Sequence, residues 1–259
     1  MPVPLIEYRN VTVRREDNVA LDNLNLSIYT GEHVAILGPN GSGKSSLIKT
    51  ITREVYPLLK PDSWLKIRGE ELFDVFELRA QLGIVTNDLM RACTRNYSGL
   101  EIVVSGFFSS VGIWPNHHVT KEMLHRGHEV LELLEVPHLA ARNTDEMSSG
   151  EAHRILIARA LVHDPKALIL DEPSSSLDFR AQHELRQILS KLARSGTGIV
   201  LVTHHLPDII PEIERVILID RGRVVRDGAK AEILTSEALG EMFHMPVTVV
   251  ERGGYYQIW

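Results

Sequence analysis

HVAILGPNGSGKSSLIKTI, residues 33–51, decides the fold. HVAILG reads as a short buried strand, and SSLIKTI continues as a helix after a glycine-rich turn. The turn, GPNGSGKS at 38–45, fits G-x-x-x-x-G-K-[ST] in the context that makes this pattern credible, after a strand and before a helix. Glycines let backbone N–H groups turn onto phosphate oxygens, and a helix N-terminus adds positive potential there. Gly38, Pro39, Asn40, Gly41, Ser42, Gly43, Lys44, Ser45 and Ser46 are therefore the candidate nucleotide-binding residues. Lys44 is placed to reach the β/γ-phosphates and the Ser45 hydroxyl to ligate Mg²⁺. The bland alternative is a glycine-rich turn that fits by composition alone.

Moving outward, ALILD at 167–171 and GIVLVT at 198–203 are two more short apolar runs, separated by a helical pattern over 178–194. In that helix Ala181, Leu185, Ile188, Leu189 and Leu192 share one face. Strands alternating with helices imply an α/β fold with a parallel sheet. Residues 5–13 and 24–30 alternate as partly solvated strands do, so an antiparallel β region precedes the phosphate loop. From about 88 to 163 the strand signal disappears. Residues 120–134 there predict a helix capped by Thr120, with Met123, Gly127, Val130, Leu131 and Leu134 at helical spacing. Hairpins are predicted around Arg221-Gly222 and Gly253-Gly254.

The 259 residues carry 28 basic and 34 acidic side chains, a net charge of -6, so no basic field points to nucleic acid. The lone Cys93 excludes an internal disulfide and reads as core filler in a reducing compartment. MPVPLIEYRN places Glu7 and Arg9 where a secretory leader needs apolar residues, and no run approaches the roughly 18 apolar residues of a membrane span. Any service to a membrane is expected to run through a partner, without direct insertion.

ALILDE ends an apolar strand with two acids, where burial alone would place neither. Asp171 suits the Mg²⁺ shell and Glu172 the base that polarises an attacking water. Acids also commonly open the loop after a strand, and it is the phosphate loop that favours the functional reading.

MSSGEAHRILIARAL at 147–161 resembles the signature motif of ABC (ATP-binding cassette) ATPases and the helix that follows it. In physical terms Ser148 and Gly150 open a helix whose N–H groups can bind a phosphate. SSLD at 175–178 looks like that family's D-loop, ending on Asp178, and VTH at 202–204 looks like its switch, which brings His204 to the γ-phosphate. The resemblance spans nearly the whole chain, 1–259. It implies a P-loop NTPase core with an N-terminal antiparallel β subdomain and an inserted helical subdomain. It further implies a Mg²⁺-dependent ATPase that closes as a head-to-tail homodimer around two ATP molecules, with Ser148, Ser149, Gly150 and Glu151 reaching the partner's ATP. The tail, GRVVRDGAKAEILTSEALGEMF, is similar to ATPases of iron-chelate, vitamin B12 and molybdate importers, which implies a membrane permease partner and a cytoplasmic place at the inner face of the membrane.

Three positions depart from the family pattern. Asn87 stands where a glutamine usually contacts Mg²⁺ and couples to the permease. Arg14 or Arg15 stands where many members stack an aromatic ring on adenine; an arginine plane can stack as well, and Arg15 is the candidate. SSGE replaces SGGQ, so Ser149 is expected to adopt a backbone shape normally given to glycine, and Glu151 to bring charge near phosphate. Lower turnover is the expected consequence. His117-His118 and His204-His205 lack a third metal ligand at a recognised spacing, and adjacent rings are expected to point apart. Trp64, Trp114 and Trp259 are expected to pack or face a partner. A free-standing ABC ATPase without a permease is the alternative that Asn87 favours. A chromosome-organising ATPase would need a long coiled coil between Lys44 and Ser148, and no sustained heptads occur there.

Overall fold

Alternating apolar residues form the hairpin of β1 (Ile6–Arg15) and β2 (Asn18–Ile28), in which Ile6 faces Ile28 and Arg15 faces Asn18. β1 runs on past the predicted end at 13, while β2 begins at Asn18 rather than 24 and ends at Ile28 rather than 30. Register shifts between Tyr8 and Arg14, with Asn10 and Asn23 in left-handed backbone, break the period of two that marks a strand in sequence. This computed structural model describes residues 3–259 except 17, 73, 75, 76, 79 and 80. Two compact units emerge, one of residues 1–75 with 198–259 and one of residues 76–197.

In the first unit, β3 (His33–Leu37) lies parallel to both β7 (Gly198–Thr203) and β8 (Arg215–Asp220), and β9 (Arg223–Ala229) returns antiparallel to β8. Val34, Ala35, Ile36, Leu37, Val202 and Ile217 have no solvent exposure, as strands covered on both faces require. The short β4 (Trp64–Ile67), which has no legible alternation of its own, pairs antiparallel with β1. Helix α1 (Lys44–Ile51) follows β3, and Tyr8 donates its hydroxyl proton to the Leu47 carbonyl at 2.8 Å, tying the hairpin to it. Burial pushes the Tyr8 phenol well above the usual tyrosine range. Both predicted hairpins form, with Arg221-Gly222 and Gly253-Gly254 in left-handed backbone; the second joins β10 (Val249–Arg252) to β11 (Tyr255–Ile258).

In the second unit, β5 (Leu82–Val85) and β6 (Ala167–Asp171) pair in parallel. Helices α2 (Asn87–Cys93), α3 (Gly99–Ser105), α4 (Lys121–Leu133) and α5 (Ser149–Leu161) occupy the stretch where strand signal vanished, and α6 (Phe179–Arg194) follows β6. Thr120 caps α4 as predicted, accepting from Met123 N–H at 3.3 Å. Gly127, Val130, Leu131 and Leu134 are buried, while Met123 is half-buried. A side chain at Gly127 would approach the Leu100 methyl to 2.8 Å, which explains a glycine inside a helix. Cys93 is buried, and burial pushes its thiol pKa up.

Candidate functional site

In the first unit the phosphate loop runs from β3 into α1 and is held from below by backbone. Ser42 N–H donates to the Pro39 carbonyl at 3.1 Å, and Gly222 N–H to the Ser42 carbonyl at 2.8 Å. Gly41 and Gly43 have φ of 81° and 107°. A Cβ on Gly38 would fall 2.2 Å from the Ile219 carbonyl oxygen, and one on Gly43 2.5 Å from that of Ala20. These glycines are needed for close backbone approach as well as for the turn. Lys44 is 4% exposed, and its Nζ donates to the carbonyls of Gly38 (2.8 Å) and Pro39 (3.0 Å), so the ammonium lies within the loop.

The same loop fits a bound Mg-nucleotide. Gly43 caps α1 without a side-chain hydrogen bond, leaving the first-turn N–H groups for an anion. Ser42 Oγ is buried and has no hydrogen-bond partner, which a native site explains by a group it receives when loaded. Ser45 is exposed, while Ser46 is buried.

His204 comes to the loop through the sheet. Thr203 pairs with Leu37 across β7 and β3, so His204 and Gly38 are the next residues at the same edge. Sequence reading missed the group beneath it: buried Thr203 donates its hydroxyl to Asp208 Oδ2 at 2.8 Å and accepts from His205 N–H at 3.0 Å. The rings of His204 and His205 lie 3.9 Å apart between centroids, which corrects the expectation that they diverge. Strand geometry ends at Thr203, and alternation no longer holds beyond it.

Arg14 and Arg15 are both exposed at the end of the β1–β2 hairpin, near the Ala20 carbonyl that abuts Gly43. The hairpin end thus borders the loop.

In the second unit, Asp171 ends β6 and Glu172 follows it with φ of 49°. The next turn is closed by Ser175 N–H to the Glu172 carbonyl (3.1 Å) and Leu177 N–H to that of Ser174 (3.1 Å). Asp178 caps α6, accepting from Ala181 N–H at 2.8 Å. Asn87 begins α2, and its Oδ1 accepts from the Ser175 hydroxyl at 3.3 Å, so the shortened side chain reaches the turn after Glu172.

Ser148 is the N-cap of α5, and Ser149 is its first residue. Ser149 has ordinary backbone rather than the glycine-like shape expected of it, because the residue falls inside the helical turn. A Cβ on Gly150 would meet that of Ala181 at 2.8 Å, so this glycine lets α5 and α6 approach. Glu151 accepts from Ser148 N–H at 2.8 Å and pairs with Arg142 at 3.2 Å, which sequence reading did not find. His153, 5% exposed, is hydrogen-bonded through Nδ1 to the Ser149 carbonyl at 2.9 Å; burial lowers its pKa.

An aromatic group follows α3 in this unit. His117 stacks on Phe108 with centroids 4.2 Å apart, and Phe107 meets the edge of His163 at 5.0 Å. Phe107, Phe108, Val111 and Ile113 are half-buried, and Trp114 is 58% exposed with its indole N–H donated to the Val111 carbonyl. Trp259 is exposed and Trp64 half-buried. Among the described residues no helix is long and apolar enough to cross a membrane.

The profile of the ABC transporter family matches residues 21–175. The hemin import ATP-binding protein HmuV of Hahella chejuensis is 31% identical over 244 residues, 91% of this chain and 91% of that protein. The cell division ATP-binding protein FtsE of Streptococcus pneumoniae is 35% identical over 237 residues, 88% of this chain and 97% of that one. A bacterial ABC transporter cassette solved as a dimer shares 28% identity and a TM-score of 0.70, covering 86% of this chain and 98% of its own.

Proposed function

Because this chain belongs to the ABC transporter family of ATPases, we propose that it is the energising subunit of an importer, closing as a head-to-tail dimer around two Mg-ATP. The chain binds and hydrolyses ATP as an ABC-type enzyme. What supports the nucleotide chemistry is the phosphate loop itself, with Lys44 drawn within it, Gly41 and Gly43 in left-handed backbone, and a buried, unpartnered Ser42 hydroxyl, while the import ATPases among its relatives support the importer role.

In this reading the loop N–H groups and Lys44 hold the β- and γ-phosphates, and Ser46 supports the start of α1. Water attacks the γ-phosphorus, Glu172 takes its proton, and the bond to the β-phosphate oxygen breaks to leave ADP and phosphate. His204 donates to a γ-phosphate oxygen, and Arg15 lies over the adenine. Ser45, Asp171 and Asn87 are the residues that would hold Mg²⁺, which when bound neutralises charge on the phosphate oxygens. Ser148, Ser149, Gly150 and Glu151, with Asp178, reach the ATP of the other subunit. The half-buried aromatic group around Phe108 and Trp114 supports a permease contact, since apolar surface of this kind outside a core marks an interaction site. The chain would then act at the cytoplasmic face of the membrane.

Two variants test the chemistry. Lys44→Ala and Glu172→Gln are each expected to abolish nearly all turnover, and Glu172→Gln is expected to form a dimer in saturating Mg-ATP, because ATP stays bound and links the chains. Unchanged turnover in either variant refutes the site, and a Glu172→Gln chain that remains monomeric at high concentration refutes the sandwich. The second reading, a free-standing ATPase, is favoured by Asn87 being engaged by Ser175. Affinity capture from native membranes separates the two, since recovery with no permease in any nucleotide state supports the free-standing form.

A further inference from the structure

In the first unit a half-buried lysine joins the loop after His204 to the β10–β11 hairpin. Lys230, at the start of α7 (Lys230–Ile233), donates from Nζ to the carbonyls of Pro211 (2.9 Å), Ile210 (3.3 Å) and Gly254 (3.4 Å). Its own N–H donates to the Glu214 carbonyl at 2.7 Å, and the Tyr256 ring lies 5.8 Å from the ammonium. Burial lowers the Lys230 pKa, and Glu212, Glu251 and Glu214 oppose that shift. An ammonium half removed from water is retained at a cost, which the carbonyls and the neighbouring acids offset.

The connection to the catalytic end is short. β11 packs on the short 3-10 turn Leu206–Asp208, whose Asp208 accepts the Thr203 hydroxyl bond at the end of β7. Leu206, Asp208, Ile209 and Ile210 in this loop are buried. Gly254 sits so close to Pro211 that an added Cβ would fall 2.9 Å from the proline Cβ. Loop 204–211 is thus fixed at both ends, by Thr203–Asp208 near His204 and by Lys230 where the loop meets the hairpin.

We infer that Lys230 is a positioning residue for hydrolysis, a staple through which the β10–β11 hairpin holds the His204 loop in register with the phosphate loop. The inference rests on the role given to His204 above. Lys230 touches no nucleotide in this scheme. Its loss therefore slows the chemical step and leaves ATP binding to the phosphate loop intact.

Steady-state ATPase kinetics on the full chain test it, with Lys230→Met, Lys230→Arg, His204→Ala and the Lys230→Met/His204→Ala pair, using radiolabelled phosphate release to follow residual turnover. Lys230→Met is expected to lower kcat by about tenfold or more with KM for ATP changed by less than about twofold, the pattern of a misplaced catalytic group. Lys230→Arg is expected to recover most of the rate. The double variant is expected to be no slower than His204→Ala, because both substitutions remove one linked function. A Lys230→Met kcat within about twofold of the wild type, or a further equal loss in the His204→Ala background, overturns the staple. Unchanged turnover in His204→Ala overturns the role of His204 instead. Should Lys230→Met fail to fold, Lys230→Gln is measured in its place with the same outcomes.

Discussion

The Ser148 hydroxyl accepts a hydrogen bond from Glu151 N–H at 3.3 Å, while the Glu151 carboxylate accepts one from Ser148 N–H at 2.8 Å. This reciprocal box joins Ser148, which fits the family signature, to Glu151, which departs from it, and so starts α5. Ser148→Ala is expected to destabilise the chain by about 0.5–2 kcal/mol, the usual cost of a lost cap, in chemical denaturation. Glu151 is held below its ordinary value of 4.5 first by the Ser148 N–H, with the Ser148 hydroxyl and Arg142 adding and burial opposing. A lowered folded pKa gives stabilisation that is complete above the ordinary glutamate range and lost as pH falls through the folded value. The stability difference between wild type and Glu151→Gln is therefore expected to shrink below pH 4.5. A difference that stays constant through that range excludes the charged box.

Gly43 and Gly41 separate two kinds of glycine requirement. Both have left-handed backbone, but only at Gly43 would a Cβ strike a carbonyl, that of Ala20; nothing lies within 4 Å at Gly41. Gly41→Ala is expected to lose about 1–2 kcal/mol from backbone strain alone. Gly43→Ala is expected to lose more and to weaken nucleotide binding by moving the hairpin end off the loop. Denaturation midpoints with nucleotide titration check both, and equal losses in the two variants contradict the close approach.

Adenine stacking by arginine gives a third expectation. Arg15→Ala is expected to weaken ATP binding by about 0.5–2 kcal/mol, the range of a cation–π contact, with Arg14→Ala unaffected. Fluorescent-nucleotide titration reads this directly. Equal affinity in wild type and Arg15→Ala removes Arg15 from the site.

Charge placed on the aromatic group tests the partner surface. Phe108→Asp breaks the stack on His117, and Trp114→Glu changes a side chain already 58% exposed. Trp114→Glu is expected to leave basal hydrolysis and folding intact while abolishing stimulation by a reconstituted permease. Retained stimulation assigns Trp114 to solvent.

Local chemistry made much of this protein legible in its sequence. The phosphate loop depends on glycines that only a few backbone shapes require, and GPNGSGKS states them outright. Strands β3, β6 and β7 are legible as unbroken apolar runs, α4 by helical spacing with its cap Thr120, and α6 by helical spacing, because burial on fixed faces imposes these periods. Tertiary structure alone decided the rest. The shifts within β1 and the short β4 depend on cross-strand partners far along the chain, so no local period marks them. Ser149 needed no glycine-like backbone because its place in the first turn of α5, rather than its residue type, sets its φ. Arg142 meets Glu151, Ser175 meets Asn87, and Lys230 collects the carbonyls of Ile210, Pro211 and Gly254 only once distant segments pack together. Sequence records what each residue can do, and packing determines which partner it does it with.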